Sequence, residues 1–158
     1  MRRDWRRSPR TGREHEFFVL EAPDWVNVIA LTRDGHAVMV EQFRHGTATV
    51  DLEVPGGVMD PTDESPVATA IRELREETGA DCAEMRQIGW FYAMNGTSSA
   101  RCTFFLATGV QLNGPPQLEP TELSEVHRMP LEQAVQMARD GRITDADSAL
   151  VLLRCEPL

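Results

Sequence analysis

The sequence predicts an α+β domain in which a mixed β-sheet lies between helices, and three observations lead there. Strand-like runs of apolar, β-branched and aromatic residues recur at 17–20, 25–31, 36–43, 47–54, 87–93 and 102–108, most of them set off by turn residues. One helix with clear start and stop signals stands in the middle of that series, between Ser65 and Gly79. A short strand at 124–129 then leads into two helical stretches at 131–140 and 145–154. A chain of 158 residues with 41% hydrophobic content suffices for one domain with its own core.

Taken in order, residues 1–13 carry Arg2, Arg3, Arg6, Arg7, Arg10 and Arg13, and read as a basic, disordered arm ahead of a single domain at 14–158. Arg33-Asp34-Gly35 marks the turn of a hairpin joining 25–31 to 36–43. The strand at 47–54 runs into Pro55-Gly56-Gly57, a turn whose glycines let the backbone approach a ligand or metal. Ser65 is the N-cap of the central helix, Pro66 its first residue and Gly79 its stop. Asn95-Gly96-Thr97-Ser98-Ser99 separates the next two strands, and Asn113-Gly114-Pro115-Pro116 breaks the chain before the last one.

The central helix carries the chemistry. At about 100° per residue, Glu73, Glu76 and Glu77 fall within roughly 100° of arc, while Val67, Ala70, Ile71, Leu74 and Thr78 gather on a packing face. Like charges at this spacing cost about 0.2–0.5 kcal/mol per pair, so the cluster calls for compensation. A hard cation such as Mg²⁺, with Mn²⁺ as a substitute, supplies it. Glu64 adds an acid just before the N-cap, and Arg72 adjoins the cluster where it can hold a glutamate in place.

These residues resemble the signature of the Nudix hydrolases, Gly-x5-Glu-x7-Arg-Glu-U-x-Glu-Glu-x-Gly-U, where U is a bulky aliphatic residue. Arg72-Glu73-Leu74-Arg75-Glu76-Glu77-Thr78-Gly79 fits position by position, and the final U is Ala80. Counted back from Arg72 the isolated acid is Glu64, whereas counted forward from Gly57 it is Asp63, because the loop is one residue longer than the pattern. The resemblance implies a Nudix-type α/β/α sandwich with a mixed β-sheet. It implies metal ligation by the Gly56 carbonyl, Glu73 and Glu77, with Glu76 as a further or water-mediated ligand, Glu64 or Asp63 as the isolated acid, and Arg72 as an orienter.

The likeness extends over about residues 9 to 152 toward the branch that acts on ADP-ribose and nucleotide sugars. Glu41-Gln42-Phe43-Arg44 resembles the segment whose arginine faces the substrate diphosphate, which makes Arg44 the phosphate clamp. Ser8-Pro9-Arg10-Thr11-Gly12-Arg13, Ala22-Pro23-Asp24-Trp25 and Gly141-Arg142-Ile143-Thr144-Asp145-Ala146 also resemble this branch, and they bring Arg13 and Trp25 forward as residues that hold the base. Within Leu118-Glu119-Pro120-Thr121-Glu122-Leu123-Ser124-Glu125 the resemblance favours Glu122 over Glu119 as general base, with Pro120 a departure from the pattern. The implied reaction is Mg²⁺-dependent cleavage of a nucleoside diphosphate joined to another moiety, yielding a nucleoside monophosphate and a sugar phosphate. The implied assembly is a homodimer with interlocked N-terminal segments. The alternatives are a nucleotide-sensing module of the same fold that does not hydrolyse and a housecleaning triphosphatase.

Composition narrows the partners. A net charge of −9 argues against nucleic acid, whose phosphates need a basic surface. Residues 1–16 carry six arginines against three acids, a net of +3, leaving −12 on the remainder, so an anionic small molecule must be met through cations. All sixteen basic residues are arginine, which favours bidentate phosphate contacts. Cys82, Cys102 and Cys155 form no Cys-x-x-Cys and fit small hydrophobes in a reducing cytosol. No apolar run follows the N-terminal arginines, so a cytoplasmic protein without a membrane partner is expected.

Overall fold

The structure is a computed structural model that describes residues 1–118 and 123–155. The segment expected as a disordered arm is instead ordered: β1 (Arg2–Arg7) pairs antiparallel with β2 (Glu14–Val19) in a separate two-stranded ribbon. Four of its six arginines, Arg2, Arg3, Arg6 and Arg7, find an acid across or beside the ribbon. Arg3 lies 3.1 Å from Glu16, Arg7 3.3 Å from Glu14 and Arg2 2.8 Å from Glu21. Such exposed pairs are individually weak, but they remove the repulsion that would otherwise splay the strand.

The expected hairpin forms the centre of the main sheet. β3 (Trp25–Thr32) and β4 (His36–Arg44) pair only near their turn, with Ala30 opposite Val38 and Leu31 opposite Ala37, and then diverge. The next segment fills the fork, with β5 (Thr49–Glu53) pairing along β4 and β6 (Gly56–Val58) along β3. Gly56 and Gly57, read as a turn in the sequence, are therefore strand residues opposite Asn27 and Val26. The Val28 N–H donates to the Pro55 carbonyl at 2.8 Å and closes the fork.

After α1 (Pro66–Thr78) come β7 (Ala80–Asp81), β8 (Glu84–Tyr92), β9 (Arg101–Leu112), β10 (Ser124–Pro130), α2 (Leu131–Arg139) and α3 (Ala146–Leu153). The strand order is β10-β4-β3-β9-β7, with β8 also on β9. β3 and β9 run parallel while the other pairs are antiparallel, so the sheet is mixed as expected. Alternation along β3 and β9 then builds two cores. Val26, Val28, Ala30, Phe105 and Ala107 pack with Ala70 and Leu74 of α1. Ile29, Phe104 and Leu106 pack on the other face with Ala134, Val135, Val151 and Leu152 of α2 and α3. The result is an α/β/α sandwich, and full burial of a side chain such as Leu74 contributes about 2 kcal/mol.

The face that α1 buries differs from the one its periodicity suggested. Ala70, Leu74, Thr78 and also Thr69 and Glu77 are buried, while Val67 and Ile71 are exposed. Burial of a carboxylate turns the helix toward β6, and the two aliphatic residues are left at its outer edge. Among the described residues, no helix is long and apolar enough to cross a membrane.

Candidate active site

The helix that carries the acids is held at both ends. The Ser65 hydroxyl accepts from the Ala68 N–H at 3.3 Å, Pro66 supplies the first turn, and Gly79 ends the helix in the left-handed region at φ 66°. At Gly79 a Cβ would stand 2.0 Å from the Gly114 carbonyl oxygen, so the position also depends on close approach. With its ends fixed, α1 presents Glu73 and Glu77 to the paired glycines of β6. The Gly56 N–H donates to Glu77 Oε2 at 2.8 Å. The Glu73 carboxylate occupies the space a Gly57 side chain would need, 2.5 Å from where a Cβ would stand.

Arg72 ties the acids together. Its Nη1 lies 2.8 Å from both Glu73 Oε1 and Glu76 Oε2, its Nη2 donates to the Val58 carbonyl at 3.2 Å, and its Nε and Nη2 reach the two Asp63 oxygens at 3.2 and 2.9 Å. Asp63 also accepts from the Asp60 N–H and the Thr69 hydroxyl, both at 2.9 Å. The Arg72 contact, ahead of those two, holds the Asp63 carboxyl well below the usual carboxylate range. Of the two acids left open by the sequence, the structure thus brings Asp63 to Arg72. Glu64 is exposed and makes no side-chain hydrogen bond among the described residues. The extra loop residue lets Asp63 turn inward.

A groove of about 440 Å³ runs past these groups, lined by Arg44, Gly56, Gly57, Arg72, Glu73 and Glu77. Arg44, at the end of β4, lines this groove, but its charge is shared. Its Nε donates to Glu53 Oε1 at 2.7 Å and its Nη2 meets Glu53 Oε2, so the buried Glu53 raises the guanidinium further above its ordinary value. Glu53 was not singled out in the sequence. In the β4–β5 pairing Glu53 stands opposite Val40, four residues along β4 from Arg44, whose own partner is Thr49, and that register is invisible before the fork is known.

A second cavity of about 220 Å³ opens on the other side of the Gly56–Gly57 strand, toward α3. Trp25 forms one wall, and its indole N–H donates to Asp147 Oδ2 at 3.1 Å. Asp145 caps α3 by accepting from the Ser148 N–H at 2.7 Å, and Arg44 of β4 and Glu53 of β5 also line this cavity. Burial, then the neighbouring Asp145 charge, pushes the Asp147 carboxyl up, against a smaller opposite effect of the indole hydrogen bond. Asn27 and the two aspartates were also not singled out for chemistry. The signal for Asn27 was a lone polar residue inside the apolar run Trp25-Val26-Asn27-Val28-Ile29.

Two sequence expectations do not converge on this chain's groove. Arg13 lies in the turn of the ribbon, exposed, and borders neither cavity. Glu119 and Glu122 lie outside the described residues. The chain just before them is anchored near the site, where the Gln117 N–H donates to the Glu76 carbonyl at 2.6 Å.

Among the described residues, no three acids, histidines or cysteines stand close enough together to hold a metal ion; the glutamates are engaged with Arg72 and backbone N–H groups. The chemistry of the donor set nonetheless fits a hard divalent cation. Glu73, Glu77 and the Gly56 carbonyl offer oxygen alone, and neither cavity is lined by cysteine or histidine.

A sandwich that brings carboxylates, two arginines and paired glycines to one groove defines a hydrolase of phosphoric anhydrides. The NUDIX domain family matches residues 23–149, and the chain belongs to that family. It is similar to the ADP-ribose pyrophosphatase of Bacillus subtilis, 31% identical over 89% of this chain and 76% of the relative. A second ADP-ribose pyrophosphatase, from Mycobacterium tuberculosis, is also 31% identical, over 92% of this chain and 70% of its own length. A crystal structure of an ADP compounds hydrolase superposes with a TM-score of 0.75 at 22% identity, covering 92% of this chain and 77% of that one, which shows the shared fold. Hydrolases of this family generally use a divalent metal.

Proposed function

We propose that this Nudix hydrolase cleaves the diphosphate of ADP-ribose or a nucleotide sugar, giving a nucleoside monophosphate and a sugar phosphate, with Mg²⁺ as its metal and Mn²⁺ as a substitute. The observation that carries the reading is the meeting of Glu73 and Glu77 with Gly57 and Gly56 in the groove that Arg44 enters. The relatives named above support the substrate class. Bound by Glu73, Glu77 and the Gly56 carbonyl, with Glu76 beside them, a divalent cation would screen phosphate oxygens and help generate hydroxide. Arg72 positions those carboxylates, with Asp63 in turn positioning Arg72. The side of Arg44 not engaged by Glu53 would face a phosphate oxygen. Glu122, ahead of Glu119, is the proposed general base, and the working unit is a homodimer joined through the N-terminal ribbons.

Purified protein assayed on ADP-ribose, GDP-mannose, UDP-glucose and nucleoside triphosphates tests this reading. Glu77→Gln is expected to lower kcat on the preferred diphosphate by about a hundredfold or more, with the folded structure retained by circular dichroism. Chelator is expected to abolish turnover and added Mg²⁺ to restore it. Near-normal turnover by the variant, or undiminished activity in chelator, would overturn the assignment.

A further inference from the structure

Asn27 is 8% exposed, yet its carboxamide makes no hydrogen bond among the described residues. It projects from β3 on the same face as Trp25, borders the 220 Å³ cavity, and lies opposite Gly56 in the strand pairing. Buried polar groups are nearly always paired, and one that opens onto a cavity is paired there by water or by a ligand that takes the water's place. The other polar groups of the cavity state which ligand. Asp145 and Asp147 bring acceptor oxygens, and their charge repels phosphate. Arg44, at the border with the glutamate groove, marks the end where phosphate is welcome.

We propose that this cavity holds the sugar of the sugar-phosphate half of the substrate, with Asn27 and Asp147 bonding its hydroxyls and the Trp25 ring walling its C–H face. The assignment rests on the diphosphate-cleaving reading above and sharpens it by orienting the substrate. The phosphates run from Arg44 into the glutamate groove, and the distal sugar turns behind Gly56 and Gly57. Hydroxyls are donors as well as acceptors, which matches two carboxylates and a carboxamide. An adenine ring offers mainly acceptor nitrogens and a single amino group, which matches them poorly. Trp25, expected from the sequence to stack on the base, is reassigned here to the sugar. Its indole N–H is committed to Asp147 and keeps that carboxylate turned toward the cavity.

The indole N–H resonances of the full chain report the cavity without requiring turnover, with the Trp25 signal assigned by its loss in Trp25→Phe. Titration with ribose 5-phosphate in the presence of chelator is expected to move the Trp25 signal, while inorganic phosphate leaves it in place. Asn27→Ala is expected to weaken that response about tenfold. Asp147→Asn, which keeps an acceptor for the indole, is the second variant and is expected to weaken it as well. A Trp25 signal moved by AMP at equal or lower concentration than by ribose 5-phosphate overturns the proposal in favour of a base pocket. No movement with any of the three ligands, or an undiminished response in both folded variants, overturns it too. A response to ribose 5-phosphate in a protein that cleaves no diphosphate would leave the sugar pocket standing and remove the pyrophosphatase reading, so the two fail separately.

Discussion

Gly57 lacks a side chain because Glu73 occupies the place, and Gly56 lacks one because the Val26 carbonyl does. The two glycines look alike in the sequence but are held to their identity by different neighbours, and the difference is testable. In Gly57→Ala the new methyl group meets the end of a flexible side chain at 2.5 Å, which can swing aside. The expected result is a protein of nearly unchanged melting temperature whose kcat falls at least about tenfold, because a displaced carboxylate no longer serves the groove. In Gly56→Ala the methyl group meets the Val26 backbone oxygen at 2.2 Å, which cannot move without breaking the β3–β6 pairing, so stability falls along with activity. Thermal melts and steady-state rates on both variants check the contrast, and equal melting losses would refute it. The residues around these glycines divide the same way in legibility. Glu73, Glu76, Glu77 and Arg72 share one helix, so a fixed angular spacing reveals them from sequence. Glu53, Asn27, Asp145 and Asp147 come together only through strand register and the packing of α3, which no local spacing encodes.

At the scale of elements, α1 is the part that the chain specifies most fully on its own. Ser65, Pro66 and Gly79 bound it as their residue types dictate, and the helix observed is Pro66–Thr78. Ser65→Ala removes the acceptor for the Ala68 N–H, with an expected cost of about 1 kcal/mol. For a domain of this size that lowers the melting midpoint by about 2–4 °C, measured by calorimetry at neutral pH; no shift would mean that water or a neighbour replaces the cap. The strands were legible as a set but less so in their ends and partners. β6 escaped notice because two glycines carry no strand propensity, and it exists only because β3 and β4 part and leave backbone donors and acceptors to be paired. The rotation of α1 that exposes Val67 and Ile71 has a similar origin: a buried glutamate outweighs two aliphatic side chains once Arg72 and the Gly56 N–H are there to satisfy the acids.

The whole molecule is acidic with an arginine-rich ribbon at one end, and that ribbon packs mainly on itself. An isolated two-stranded hairpin is marginal in water, and this one leaves Trp5, Phe17 and Phe18 half or more exposed. The β1–β2 register puts Trp5 and Phe18 on one face with Arg3 and Arg7, and puts Phe17 on the other with Arg6 and His15. Both faces therefore carry apolar surface next to cationic groups, a combination suited to an acidic partner with apolar contacts. A second copy of this chain has such a surface, since its body beyond residue 16 carries a net −12. The proposed homodimer thus predicts a mass near twice 17.7 kDa by light scattering at micromolar concentration. Trp5→Ser combined with Phe18→Ser strips one face while leaving the main sheet untouched, so the variant is expected to run as a monomer with a melting temperature set by the sandwich. Because the apolar contact is flanked by charge, raised salt is expected to weaken the dimer only in part. A wild-type chain that stays monomeric at the highest soluble concentration would rule out the dimer, whereas a double variant that remains dimeric would move the interface elsewhere on the molecule.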